Sequence, residues 1–356
     1  MVDREGRGLF IGAVKIAILG AGSIGCFVGG AWSAAGLSVR FVGRKSFADA
    51  IAANGLTLTD QNGWRKKLAP AEVDYSTRTA ALTGADLIVL TVKSTGTEAA
   101  AKEIGRQAKK GAVVLSLQNG VSNVELLRSL LKRHEVVQGM VPYNVAYLRE
   151  GRFHKGVAGD LVVTDTPVTR ALAEAVPDGP ARLKLAADMP AVAWGKLLIN
   201  LNNAVNALSG LPLLDQLKQR DYRRVVAASI VEALDVLKAA GIEPAQIGPV
   251  PPRLLPHVIG SPDLIFNNGF LKLQKIDARA RSSMYDDLAA GRPTEIDYLN
   301  GEIVKLAEKM GKKAPVNRAI VDLVRQAEAG VERPWPAKEL RDVVLEGKRA
   351  APLFGY

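Results

Sequence analysis

One cysteine, Cys26, occurs in 356 residues, which excludes an intramolecular disulfide framework and argues against a cysteine-ligated metal centre. That usage fits a reducing compartment. The chain also lacks internal repeats, low-complexity tracts and heptads, so it reads neither as a solenoid nor as a coiled coil. Lysine and arginine total 47 against 36 acidic residues, a formal charge of +11. No basic run is interleaved with aromatics, however, and the cations lie among acids, as in "EIVKLAEKMGKK". Nucleic-acid binding is therefore not expected, and the charge bias suits small anionic ligands instead.

Nearly half of the residues, 48%, are apolar, enough to bury a large core, and the length favours two domains. Arg4 and Arg7 ahead of "FIGAV" imitate a signal peptide. Lys15 interrupts that apolar run, and the glycines beyond it fall where cleavage would destroy a nucleotide-binding turn. Residues 1–12 are accordingly read as a short extension, and the protein as cytoplasmic with no membrane association.

From residue 14 onward short apolar runs alternate with helical stretches: "KIAIL", "SVRFV", "DLIVLTV", "AVVLSL", "EVVQGMV". Strands that are apolar throughout and separated by helices predict a doubly wound α/β sheet with parallel pairing. "GDLVVTD" and "ARLKLAADM" are further strand-like pieces. The pattern changes near residue 188, beyond which 3.6-residue periodicity predicts helices over 192–208, 222–240, 283–290 and 295–310, with Gly241 and Gly311 as stops. The expected division is a dinucleotide-binding domain over 14–188 and an all-α domain over 189–356. "IEPAQIGPVPPRLLPHVIGSPD" is too rich in proline for a regular element and reads as a connection within the second.

"KIAILGAGSIG" sets Gly20, Gly22 and Gly25 in a G-x-G-x-x-G spacing between a strand and a helix. The first glycine permits the tight turn, the second admits a pyrophosphate, and the third lets the helix rest on the sheet. The amides of Ser23 and Ile24 then face the phosphates from the helix N-terminus. The second strand ends in Arg44 and Lys45 rather than in an acid, which favours the 2′-phosphate of NADP(H) over NAD. Lys93 follows the third apolar strand, and Gln118, Asn119 and Gly120 follow the fourth, at the carboxyl edge where such sheets bind ligands.

The helix after residue 194 carries four asparagines in "LLINLNNAVNAL". At about 100° per residue, Asn200 and Asn203 fall within roughly 40° of Lys196, and the three form one polar stripe. A lysine in a cleft can protonate an oxygen that becomes negative as hydride reaches its carbon, and amides can orient the rest of a ligand. The lesser alternative for the stripe alone is a face turned to water or to a partner subunit. Ser283 with Asp286, and Thr294 with Asp297, match helix-capping patterns, and Glu295 suits a first helical turn.

Together, "ILGAGSIG", "TVKS", "LQNG", "WGKLLINLNNAVNAL" and "SSMYDDLAAGRPTEID" resemble the ketopantoate reductase family, over about residues 15–325. The resemblance implies a Rossmann domain joined to a helical domain of the 6-phosphogluconate dehydrogenase type, with the active site in the cleft, and a homodimer. It implies NADPH-dependent reduction of ketopantoate to pantoate. Lys196 becomes the general acid with Glu295 as its partner. Asn200, Asn203 and Ser283 bind substrate; Lys93 and Asn119 lie between substrate and cofactor; Arg44 meets the 2′-phosphate. The chain departs from the family at Ala204, where many members have a second asparagine, with Asn203 or Asn206 as replacement, and at Ala280. These departures leave open a paralogue acting on another 2-oxo acid. A non-catalytic NADP(H)-binding regulator is a further alternative.

Overall fold

The computed structural model describes residues 14–273, 276–277, 280–331 and 334–347; the amino-terminal extension and the carboxyl-terminal "PLFGY" lie outside them. Two compact units divide the chain, Met1–Val192 and Ala193–Tyr356.

In the first unit the strands are β1 (Lys15–Leu19), β2 (Ser38–Val42), β3 (Leu56–Asp60), β4 (Arg65–Leu68), β5 (Asp74–Ser76) and β6 (Leu87–Leu90). They continue with β7 (Val113–Ser116), β8 (Val136–Met140), β9 (Val145–Tyr147), β10 (Arg152–Lys155), β11 (Leu161–Thr164) and β12 (Leu183–Ala186). Eight of them form one sheet in the order β12-β11-β8-β7-β6-β1-β2-β5. From β5 to β8 every pairing is parallel, and in chain order these six strands read 3-2-1-4-5-6, the doubly wound arrangement. Alternation along β1 explains why the sheet is covered on both faces. Ile16 and Ile18 enter one core with Phe27, Phe41 and Leu115, while Ala17 and Leu19 enter another with Ile88, Leu90 and Val114. Each fully buried aliphatic side chain contributes roughly 2 kcal/mol.

Two features depart from expectation. β11 runs antiparallel to β8, and only β12 restores a parallel pairing at that edge. A second sheet, β4-β3-β10-β9, was not anticipated. Its core, the β3–β10 pairing, joins Thr57 to Arg152, about half the unit apart in sequence, so no local pattern announces it. This excursion also returns the chain for β11 in the reverse sense.

Helices make up the second unit. The 20-residue helix Arg220–Ala239 and the helices Asn300–Lys309 and Pro315–Glu328 form its frame. Gly241 and Gly311 take the left-handed φ expected of helix stops, 69° and 66°. The helix expected over 192–208 is instead two, Met189–Asn200 and Asn202–Ser209, interrupted at Leu201. The helix expected from Glu295 begins later, at Asn300, after a short 3₁₀ turn over Ile296–Tyr298. There Thr294 donates its amide to Glu328 and accepts from the Ile296 amide, so its hydroxyl closes a local turn instead of capping an α-helix. Among the described residues no helix is long and apolar enough to cross a membrane.

Candidate active site

After β1 the chain turns at Gly20, whose φ of 88° is a left-handed conformation. A Cβ there would stand 2.6 Å from the Val92 backbone nitrogen, so only glycine fits. Gly20 and Ala21 both donate their amides to the Val42 carbonyl, which fixes the turn against the end of β2. Gly22 precedes the helix Ser23–Ala34, and a Cβ on it would meet nothing nearer than the Gly20 oxygen at 3.7 Å. That open side is a cradle. The first helical bond runs from Cys26 N–H to the Gly22 carbonyl, so the amides of Ser23, Ile24 and Gly25 lack intrahelical acceptors and present positive partial charge. Gly25 meets the opposite constraint: a Cβ would lie 2.5 Å from Thr91 Oγ1 and 2.8 Å from Ile18 Cγ2, so the helix rests directly on the sheet. The residues present thus fit a dinucleotide, with room for phosphates where the donors converge.

No carboxylate follows β2. Arg44 is exposed, its guanidinium lies 5.0 Å from the centre of the Phe47 ring, and it has no acidic partner among the described residues. Lys45 is paired with Asp49 at 2.7 Å. The Tyr75 hydroxyl donates to the Ala21 carbonyl and ties β5 to the glycine turn. Burial raises the pKa values of both Tyr75 and Cys26, against the opposing charge of Arg44. Cys26 is therefore an inert thiol next to the turn.

The loops after β6 and β7 are joined by a buried polar network. Gln118 donates to Thr97 Oγ1 at 2.8 Å and to the Val92 carbonyl at 3.1 Å. Asn123 donates to Ser94 Oγ and to the Asn119 carbonyl, and accepts from Thr97. These bonds hold Lys93, which is exposed at the start of a 3₁₀ turn, and Asn119, partly buried, on two loops with a shared support. Gln118 and Asn123 are scaffold.

In the helical unit Lys196 is partly buried, and burial pushes its ammonium down to about 8. Neither an ion pair nor a hydrogen bond reaches it among the described residues. One turn on, Asn200 is 8% exposed, and its amide likewise has no partner. The Asn203 carboxamide is partly exposed and also unpartnered. An ammonium depressed by burial and an amide one turn on, neither bonded among the described residues, are what is expected of groups kept for a ligand. Ser283 is exposed as the first residue of the helix Ser283–Ala289; the cap is Ser282, whose hydroxyl accepts from the Tyr285 amide. Glu295 is buried at the head of the 3₁₀ turn. No cluster of histidine, cysteine and acidic side chains suited to a metal ion occurs among the described residues.

Comparison with known proteins decides the family. The profile of "Ketopantoate reductase PanE/ApbA" matches residues 16–167, and that of its C-terminal domain matches residues 188–328. A crystal structure of a family member from Ralstonia eutropha JMP134 is 31% identical, covers 89% of this chain and 99% of its own, and superposes with a TM-score of 0.75. The chain belongs to the ketopantoate reductase family. Curated 2-dehydropantoate 2-reductases from Halobacterium salinarum, 27% identical over 326 residues, and Mycobacterium tuberculosis, 28% over 320, each match over 99% of their length. They span 88% and 89% of this chain. A D-mandelate dehydrogenase solved with NADH and anilino(oxo)acetate shares the fold, at 21% identity over 89% of this chain and 99% of its own, with a TM-score of 0.74.

For this ketopantoate reductase relative, the geometry distinguishes the two asparagines considered in place of Ala204. Ala204 is fully buried, and both ends of the Asn206 amide are engaged with the protein, whereas Asn203 remains open to a ligand. Sequence reasoning did not assign Asn206 and Ser282 their structural tasks. Their signal was the pairing of an asparagine inside an apolar helix with a serine immediately before Ser283.

Proposed function

We propose that this protein is a 2-dehydropantoate 2-reductase, reducing the ketone of ketopantoate to pantoate with NADPH. The observation that carries it is the Lys196–Asn200 pair, a depressed ammonium and the amide of a buried residue, both without partners among the described residues, in a chain that matches the family over both of its domains. Gly20, Gly22 and the amides of Ser23, Ile24 and Gly25 hold the pyrophosphate, Arg44 faces the 2′-phosphate, and Lys93 and Asn119 contact cofactor and substrate. Bound NADPH supplies the hydride. Lys196 Nζ gives its proton to the ketone oxygen as negative charge builds there; Glu295, which is not paired with Lys196 in this structure, is the acid proposed to orient that lysine once substrate is bound. Asn200, Asn203 and Ser283 hold the carboxylate and hydroxyl. The domains proposed are 14–188 and 189–356, and the setting is the cytoplasm, with no nucleic-acid partner.

The test is NADPH consumption by the purified protein with ketopantoate, beside other 2-oxo acids and NADH. Turnover confined to a bulkier 2-oxo acid would favour a paralogue, a reading for which the D-mandelate dehydrogenase fold and Ala204 speak. Arg44→Asp is expected to weaken NADPH binding by about tenfold or more, the loss of a charge-assisted contact, and to leave NADH binding nearly unchanged. Equal weakening of both would remove Arg44 from the 2′-phosphate. We also propose a homodimer. Leu264 and Leu273 of the helical unit are 77% and 78% exposed, and a ketopantoate reductase from Staphylococcus aureus is described as dimeric.

A further inference from the structure

The segment that carries Ser283 is bound to the asparagine helix through its neighbours. The Ser282 amide donates to Asn206 Oδ1 at 2.9 Å, and the Ser282 hydroxyl donates to the Asn203 carbonyl at 3.0 Å. The Leu213 amide donates to the Ala280 carbonyl at 2.8 Å, and the Tyr285 hydroxyl to that of Gly210 at 3.4 Å. Asn206 is fully buried, and its Nδ2 donates to the Leu211 carbonyl at 3.0 Å. A carboxamide offers a donor and an acceptor on one short stem, so this single side chain fastens two backbone segments to the helix at once. With both ends used, Asn206 has no capacity left for a ligand.

We propose that Asn206, acting through Ser282, is a positioning residue for substrate: it sets the Ser283 hydroxyl against the face formed by Lys196, Asn200 and Asn203. The Ser283 side chain itself makes no bond among the described residues, so its place depends on its neighbours. The inference rests on the reading of Ser283 as a substrate-binding residue.

A double-mutant cycle tests it, with KM and kcat for ketopantoate and the Kd for NADPH measured in Ser283→Ala, Asn206→Ala and the double variant. Ser283→Ala is expected to raise KM about tenfold, the size of one hydrogen bond. Asn206→Ala is expected to raise KM by a comparable factor, with kcat and the NADPH Kd close to wild type. The double variant is then no worse than Ser283→Ala alone. Multiplying factors, or an NADPH Kd that rises with KM, would overturn the positioning role. An unchanged KM in Ser283→Ala would instead overturn the reading of Ser283 beneath it. Asn206→Asp covers the case of an alanine variant that does not fold. It keeps the acceptor for Ser282 but sets a carboxylate against the Leu211 carbonyl, so Tm falls while KM stays near wild type. A KM that rises with the loss of stability in Asn206→Asp marks a purely structural residue and also overturns the proposal.

Discussion

Lys196→Ala is expected to lower kcat by about three orders of magnitude, within the range for a lost general acid, while the Kd for NADPH stays within about twofold. The reason is the separation of tasks along the chain. The phosphate cradle is built from residues 20–25, and the proton comes from a lysine on the helix Met189–Asn200. Because burial sets the Lys196 pKa at about 8, the acid form dominates below that pH. The rate of ketone reduction is therefore flat on the acid side and falls as pH rises through about 8. A profile flat to about pH 10, near the ordinary lysine value, would place the proton donor elsewhere. Stability runs in the opposite sense. Between about 8 and the ordinary lysine value the unfolded chain binds more protons than the folded one, so this residue's contribution to stability increases with pH across that window and its cost is fully present below it. Lys196→Met, which removes the buried charge, is expected to raise the unfolding free energy at pH 7 by roughly 2 kcal/mol even as turnover is lost. A variant both inactive and less stable would show that Lys196 holds the fold rather than the substrate.

Local pattern and long-range contact explain what could be read in advance. β1, β2, β6, β7 and β8 are apolar runs, and each was legible as a strand. The glycine spacing at 20–25 announced its own geometry, because the φ of Gly20 and the crowding at Gly25 are constraints only glycine meets. β3, β4, β9 and β10 were not legible: "RKKL" and "RFHK" carry no apolar alternation, and the β3–β10 pairing that unites the two local hairpins joins residues about ninety-five positions apart, such as Thr59 and His154. The helix pattern failed where side chains compete with backbone. Thr294 and Glu328 capture the amides that would have started a helix at Glu295, and periodicity does not register that competition. The asparagine run by itself left Asn203 and Asn206 open as alternatives. Asn200 and Asn203 were distinguishable from Asn206 only once the partner of each amide was known.

The glycine turn offers the sharpest separation of fold from function. Gly22→Ala is expected to fold with Tm unchanged or slightly raised, since Gly22 has φ −94° and ψ −150°, extended backbone that alanine adopts, and its added Cβ meets only the Gly20 oxygen at 3.7 Å. The methyl group would stand in the cradle, so NADPH Kd should rise by about tenfold to a hundredfold, the loss of one or two charge-assisted hydrogen bonds. Gly25→Ala, three residues on, is expected to do the reverse. Its Cβ would displace Thr91, whose hydroxyl donates to the Gly20 carbonyl at 2.9 Å, so the turn and the helix are strained together. Overpacking of that kind costs about 1–3 kcal/mol of stability before any ligand is added. Thermal unfolding and NADPH titration of both variants therefore give crossed results if the cradle receives the pyrophosphate. Unimpaired NADPH binding by Gly22→Ala would mean that the open side of Gly22 faces no phosphate. The match of spacing, strand and helix would then describe a turn that only resembles a nucleotide site.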